Sequence, residues 1–143
     1  SASGAEFCCL LSALTQLPVR QCVAMTGAID QHGNVLQVGA VNEKIEGFFD
    51  VCAVHGLQPG TGVIVPKSNA GDLQLRRDVV HACRAGKFSV WGVTRIEQAV
   101  SLLFGQTAGE PSSVGAYPAG TVYARAAERA ELLWRVSQPG NRA

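Results

Sequence analysis

A short, unbroken run of β-branched residues, Val63-Ile64-Val65, lies between Gly62 and Pro66 and limits the folds that are open to this chain. An alternating pattern would indicate a strand with one solvated face, whereas an unbroken apolar run is typical of a strand buried on both faces. Such a strand belongs to a sheet that is covered by helices. The run therefore predicts an α/β or α+β fold.

Hydrophobic periodicity and turn residues divide the rest of the first 104 residues into helices and strands. An amphipathic pattern predicts a helix over residues 3–17, which Pro18 ends. A strand over 19–29 and a return strand over 35–38, joined by turn residues, predict a β-hairpin. The remaining predicted elements are a helix over 42–55, a helix over 78–84, a strand over 88–93 and a helix over 94–103. Together they predict a small mixed sheet with a β-hairpin, covered by helices.

Polar residues near the predicted helix starts give candidate caps. Ser1 or Ser3 is the expected N-cap of the first helix, and Glu6 completes a capping-box pattern with Ser3. Gly56 is expected to end the second helix, because glycine readily adopts the left-handed conformation found after helix C-termini. Thr94 is the expected cap of the last helix in this part of the chain.

Length and composition exclude several classes of protein. The 143 residues suffice for one compact domain, and 47% hydrophobic with 16% charged residues excludes a disordered chain. A formal net charge of +1 provides no electrostatic footprint for nucleic acid, so we expect no nucleic-acid partner. No apolar run approaches the roughly 18–20 residues of a membrane span.

Five cysteines are present, an odd number without any Cys-x-x-Cys pair. They are Cys8, Cys9, Cys22, Cys52 and Cys83. Each lies in an apolar stretch, where a free cysteine behaves as a small hydrophobe. This pattern predicts reduced core residues of a cytoplasmic protein rather than a disulfide framework.

The character of the sequence changes after Gly105. Residues 106–120 are rich in Gly, Pro, Ser and Ala, which predicts a linker. Residues 122–136 contain good helix formers but few apolar residues, which predicts a frayed or partner-dependent helical tail. We therefore expect a domain over 1–104 and a linker with a helical tail over 105–143.

Simple metal and phosphate motifs are not found. His32, His55 and His81 are far apart, and none has a partner at metal-ligand spacing. The Gly60-to-Ser68 stretch resembles a phosphate loop only superficially, because its glycines precede a strand and Pro66 occupies a position where the Walker pattern needs Gly. We expect neither a metal nor a cofactor in this chain.

Three segments closely resemble the proteolytic domain of Lon proteases, in the LonB-like bacterial subgroup. They are VAMTGAI at 23–29, GNVLQVGAVNEKIEG at 33–47 and GVIVP at 62–66. Ser1-Ala2-Ser3 is similar to the second half of the family motif around the catalytic serine, and its spacing to Lys44 matches the family without a gap. The resemblance covers roughly residues 1–104. It implies the Lon proteolytic fold, which a ribosomal protein domain shares.

The resemblance implies a Ser–Lys dyad made of Ser1 and Lys44, supported by Thr26. A serine hydroxyl is a poor nucleophile until a base removes its proton, and a neutral lysine can be that base. Burial and the N-terminus of a helix both favour a neutral lysine. The family threonine that Thr26 matches hydrogen-bonds to the lysine amine and orients it.

The same resemblance implies an ATP-dependent serine endopeptidase that degrades unfolded or damaged proteins in the cytoplasm. Such proteases form hexameric rings and couple this domain to an AAA+ motor that uses ATP and Mg²⁺. The family domain has further strands before the serine, so this chain is expected to be an N-terminally truncated piece with negligible activity alone. The alternatives are a non-catalytic Lon-like interaction module, as in a related DNA-repair ATPase, or a decayed fragment.

One residue departs from the family pattern just before the helix that carries Lys44. The family usually has two glycines there, and the second is replaced by Ala40. If the position requires a positive φ, alanine costs about 1 kcal/mol relative to glycine.

Overall fold

The computed structural model describes residues 1–140. It contains five α-helices, five strands and one 3₁₀ helix within those residues. In chain order they are α1 (Ser3–Thr15), β1 (Val23–Met25), β2 (Ala28–Ile29), β3 (Val35–Leu36), α2 (Val41–Val54), β4 (Gly62–Pro66), the 3₁₀ helix (Lys67–Asp72), α3 (Arg77–Arg84), β5 (Ser89–Val93), α4 (Ile96–Phe104) and α5 (Val122–Ser137). The α/β class predicted from the sequence is confirmed.

The predicted buried strand is the centre of a three-stranded parallel sheet with the order β1-β4-β5. Ala24 of β1 pairs with Val63, and Val63 pairs with Val90 of β5. All five residues of β4 are buried, as the unbroken apolar run predicts. Successive side chains of β4 point to opposite faces, so the strand supplies both halves of the core.

The two faces of β4 support two separate clusters of apolar side chains. On one face, Ile64 packs with α1, α4 and the start of α5. On the other face, Val63 and Val65 pack with α2 and α3, where the rings of Phe49 and Phe88 meet edge to face at 5.2 Å. The sheet is therefore covered by helices on both sides.

The prediction of a single strand over residues 19–29 is wrong in one respect. The segment contains two strands, and they belong to different sheets. β1 joins the parallel sheet, whereas β2 pairs antiparallel with β3 to form the predicted hairpin. The break occurs at Thr26 and Gly27, whose N–H groups donate to Ile64 O at 3.0 Å and Ser1 O at 2.9 Å. The Thr26 bond is the last one to β4, and at Gly27 the chain bonds to Ser1 instead.

The expected caps of α1 are also wrong. Its N-cap is Ala2, without a side-chain hydrogen bond, and Glu6 forms no capping box. The Ser3 hydroxyl instead accepts a hydrogen bond from the N–H of Ile29 at 2.9 Å, so it ties the helix to the hairpin. The helix ends at Thr15, before Pro18, with Gln16 in the left-handed conformation.

The start of α4 is organised by a glutamine rather than by Thr94 as its cap. The N-cap position is Arg95. The Gln98 side chain reaches back and accepts hydrogen bonds from the N–H groups of Thr94 at 2.8 Å and Arg95 at 3.1 Å. Gln98, three residues after Arg95, is the sequence signal for this helix start, because a glutamine at that position forms half of a capping box.

The proximal half of α5 packs against the domain instead of fraying. Val122 is fully buried, and Thr121 caps the helix by accepting from the N–H of Ala124 at 3.2 Å. The guanidinium groups of Arg125 and Arg129 donate to the carbonyls of Thr15 and Leu14 at the end of α1. Because these arginines satisfy carbonyls at a helix C-terminus, they hold α5 along α1.

The cysteines are free, as expected, but only Cys8 is buried; Cys9 is exposed, and the other three are half-buried. Burial raises the pKa of the Cys8 thiol to about 12. Across residues 1–140, no helix is both long and apolar enough to cross a membrane.

Candidate active site

Ser1 is held at the start of α1 by the chain between β1 and β2. Its carbonyl accepts a hydrogen bond from the N–H of Gly27 at 2.9 Å and lies 3.5 Å from the Thr26 hydroxyl, which donates to it. The carbonyl of Gly27 in turn accepts from the N–H of Gly4 at 3.0 Å. Reciprocal backbone bonds therefore fix Ser1 beside the end of β1, next to Thr26.

The close approach of α1 to this strand depends on Gly4. A Cβ atom at that position would lie 2.5 Å from Met25 Cε and 3.0 Å from the carbonyl oxygen of Gly27. Both distances are shorter than ordinary van der Waals contacts. A side chain at position 4 would thus have to displace the end of the Met25 side chain and would press on the carbonyl of Gly27.

Lys44 lies in the first turn of α2, where its N–H bonds to Ala40 O at 3.1 Å. The side chain is half-buried, and its amine donates to the hydroxyl of Ser1, with Nζ and Oγ 3.1 Å apart. The two predicted catalytic residues are 43 positions apart in the chain. The fold therefore brings them into direct contact.

The third predicted residue, Thr26, lines the same space. Its hydroxyl bonds to the backbone of Ser1 rather than to the Lys44 amine. A cavity of about 270 Å³ opens beside the three residues, and its other lining residues are Ala2, Ala5, Ala24, Met25 and Val63. The walls are therefore small and mostly apolar.

The turn before α2 adopts a left-handed backbone at Ala40, with φ 55° and ψ 40°. This is the position where the family pattern has glycine. A non-glycine residue in this region is strained by about 1–2 kcal/mol, because its Cβ approaches the next carbonyl oxygen. The structure thus places a strained residue four positions before Lys44.

Asn69, which the sequence analysis did not single out, fixes the approach to this turn. It is 1% exposed and lies in the 3₁₀ helix that follows β4. Its side-chain amide accepts from the N–H of Val38 and donates to the carbonyl of Val38, both at 3.0 Å. The amide also donates to the Asp72 carboxylate at 3.0 Å. The Asn69 side chain therefore pairs with both backbone groups of Val38, as the backbone of a neighbouring strand would.

Further bonds tie both sides of the turn to the segment around Asp72. Gln37 donates to the Asp72 carboxylate at 3.0 Å, and Asn42 donates to the Asp72 carbonyl at 2.9 Å. The Asn42 side chain also accepts from the N–H of Gln74 at 2.8 Å. In the sequence these amides are indistinguishable from ordinary loop residues, so only their partners show their role.

No metal centre accompanies this arrangement in the part of the chain that the structure describes. Within residues 1–140, no group of three or more His, Cys, Asp or Glu side chains is placed to hold a metal ion.

Comparison with known proteins identifies the family of the chain. Residues 1–105 match the model of the Lon protease (S16) C-terminal proteolytic domain. A protein of Escherichia coli K12 designated "Putative Lon protease homolog" is 47% identical over 103 residues, and its Haemophilus influenzae counterpart is 50% identical over 106. An archaeal Lon protease of Thermococcus kodakarensis is 34% identical over 102 residues.

These alignments cover 72%, 74% and 71% of this chain, respectively. They cover only 18% of the two bacterial relatives and 14% of the archaeal one. The chain therefore spans less than a fifth of the length of these relatives. It belongs to the Lon protease family.

Proposed function

We propose that this chain supplies the proteolytic site of an ATP-dependent serine endopeptidase, with Ser1 as nucleophile and Lys44 as general base. The observation that supports the proposal is the 3.1 Å contact between Ser1 Oγ and Lys44 Nζ. This distance is within the range over which a base removes a proton directly. Lys44 is half-buried in the first turn of α2, so its amine is held beside Ser1.

The reaction is acyl transfer in two steps. Neutral Lys44 removes the hydroxyl proton as Ser1 Oγ forms a bond to the peptide carbonyl carbon. When the tetrahedral intermediate collapses, the C–N bond breaks, and Lys44 returns the proton to the leaving amine. A water molecule, deprotonated by Lys44, then attacks the ester, and its proton returns to Ser1 as the second product leaves.

Two neighbouring features have roles in this scheme. The apolar cavity beside Ser1 would receive a small substrate side chain, since alanines form much of its wall. Thr26 lines the same cavity, and in the proposal its hydroxyl orients the Lys44 amine when substrate is bound. Backbone N–H groups near the start of α1 are the candidate donors to the oxyanion.

The wider activity follows from the family and extends beyond these residues. We propose that the whole protein degrades unfolded proteins in the cytoplasm as a homohexamer. Because no Walker A pattern occurs in this sequence, ATP and Mg²⁺ would be bound by an AAA+ motor elsewhere in the protein. The 143-residue chain alone is expected to have negligible peptidase activity.

The dyad is tested by covalent labelling of Ser1 with a fluorophosphonate probe, located by mass spectrometry. Labelling of the 143-residue chain should fall by at least about tenfold in Lys44→Gln, since the hydroxyl loses its base. Lys87→Gln is the matched control, because Lys87 is an exposed lysine outside the site.

In a full-length protein, Lys44→Gln should likewise lower the rate of ATP-dependent degradation of an unfolded substrate, whereas Lys87→Gln should leave that rate unchanged. Equal labelling in Lys44→Gln and in the unmodified chain would contradict the role of Lys44. Labelling at a different residue would contradict the role of Ser1.

A further inference from the structure

A second concavity lies on the exposed face of α3 and shares no residue with the cavity at Ser1. Its volume is about 380 Å³, within the range of specific binding sites. We call it the α3 concavity, and its lining residues are Leu75, Arg77, Val80, His81 and Arg84. The four helical residues follow one another at three- and four-residue spacings, so they share one face of the helix. Arg77 and Arg84 are therefore about 10 Å apart along its axis.

Both arginines of the α3 concavity lack a protein partner among the described residues. Residues 1–140 contain eight arginines, and five of them donate hydrogen bonds from the guanidinium to protein acceptors. The five are Arg76, Arg95, Arg125, Arg129 and Arg135. The other three are Arg20, Arg77 and Arg84, so two of the three unpaired arginines line one concavity.

The acidic residue of α3 does not neutralise this pair of charges. The Asp78 carboxylate accepts a hydrogen bond from the guanidinium of Arg76 at 2.9 Å, and Arg76 also donates to Asp50 of α2. These bonds hold the pKa of both carboxyls below their usual values. No acidic side chain of residues 1–140 lines the concavity itself. Two positive charges are therefore unopposed within it.

The apolar part of the α3 concavity is held in place by the domain. Leu75 and Val80 are both half-buried, and Leu75 packs against the apolar cluster on the α2 side of the sheet. The N–H of Arg76 donates to the Glu46 carboxylate of α2 at 2.8 Å, which anchors the start of α3. A ligand therefore meets a fixed apolar patch beside two arginine guanidinium groups.

We propose that the α3 concavity binds an acidic peptide segment of a partner protein, in which an apolar side chain lies between two carboxylates. The carboxylates accept hydrogen bonds from Arg77 and Arg84, whose planar guanidinium groups match carboxylate geometry. In an extended peptide, three residues span about 10 Å, which is the separation of the two arginines along the helix. The apolar side chain covers Leu75 and Val80.

This apolar patch favours a peptide over other anions. A phosphate ion or a nucleic-acid backbone has no apolar group to place on Leu75 and Val80. The formal net charge of +1 for the whole chain also disfavours nucleic acid. The inference uses neither Ser1 nor Lys44, so it does not depend on the proposed proteolytic reaction.

Fluorescence anisotropy with the 143-residue chain tests the proposal. The probe is the fluorescein-labelled peptide Gly-Glu-Leu-Leu-Glu-Gly, and we expect saturable binding at low ionic strength with a dissociation constant below about 1 mM. Arg84→Gln should weaken binding about threefold, and the double variant Arg77→Gln/Arg84→Gln at least about tenfold, as for exposed ion pairs. Arg20→Gln is the matched control, because it removes an unpaired, exposed arginine beside the end of α4.

Altered probes test the two parts of the recognition separately. Glutamine in place of both glutamates should weaken binding at least about tenfold, and serine in place of both leucines about threefold. A ten-residue thymidine oligonucleotide should bind more weakly than the peptide, and circular dichroism confirms that each variant folds. The proposal would be overturned by the absence of binding at about 1 mM chain, by an equal loss in Arg20→Gln and Arg84→Gln, or by unchanged binding of the serine peptide. Tighter binding of the oligonucleotide would also overturn it, in favour of a nucleic-acid site.

Discussion

Two segments that are built differently bring Ser1 and Lys44 together. Ser1 is held mainly by backbone groups, through the bonds of its carbonyl and of Gly4 to Gly27, with one longer bond from the Thr26 hydroxyl. Lys44 depends on side-chain amides, because Asn69 and its neighbours fix the turn that leads into α2. Added side-chain volume should therefore destabilise the first segment, whereas the loss of particular polar atoms should destabilise the second.

The largest expected effect concerns the side-chain support. Asn69→Leu removes the partners of both the N–H and the carbonyl of Val38, which is itself buried. Each unpaired buried backbone group costs about 1–3 kcal/mol, so we expect the free energy of unfolding to fall by about 3 kcal/mol. Urea denaturation measures the change.

Asn42→Ala provides the comparison within the same network. Asn42 makes two bonds of the same kind, but at the surface, where water replaces the lost partners. Its loss should lower the free energy of unfolding by less than about 1 kcal/mol. Equal losses for the two variants would mean that burial of Asn69 is not what fixes the turn.

A smaller effect is expected from added bulk at the backbone-supported segment. Gly4→Val places a branched side chain against Met25 and the carbonyl of Gly27, so it should lower the free energy of unfolding by about 2 kcal/mol. Met25→Ala in the same chain should recover part of this loss, since Met25 Cε is the nearest atom. A double-mutant cycle from urea denaturation measures the coupling. A purely additive result would contradict the close approach of α1 to β1.

This contrast also explains which parts of the structure the sequence could predict. The buried β4 follows from Val63-Ile64-Val65 because burial on both faces leaves a local pattern. The division of 19–29 into two strands does not, since Thr26 and Gly27 bond to residues far along the chain. The docking of α5 was missed for a similar reason: Arg125 and Arg129 resemble solvated charges until their carbonyl partners on α1 are known.

The candidate site divides in the same way. The pairing of Ser1 with Lys44 was expected from the resemblance to Lon proteases, and the two side chains are in contact. Asn69 was missed because a loop asparagine gives no signal of burial. A family pattern transfers the reacting groups, whereas the atoms that support them become visible only when the chain is folded.

The smallest expected effect is a gain in stability rather than a loss. It concerns Ala40, the residue with a left-handed backbone just before α2. Ala40→Gly relieves a left-handed alanine but makes the unfolded chain more flexible, so the gain in the free energy of unfolding should be at most about 1 kcal/mol. Gly39→Ala is the informative neighbour, because position 39 has no positive φ and a Cβ there meets nothing within 4 Å. It should also stabilise the chain, by about 0.4–1 kcal/mol, but solely by restricting the unfolded state.

Fluorophosphonate labelling of Ser1 distinguishes the two variants. If strain at Ala40 helps to aim Lys44, the labelling rate changes in Ala40→Gly and stays constant in Gly39→Ala. A loss of stability in Ala40→Gly would contradict the left-handed conformation at that position.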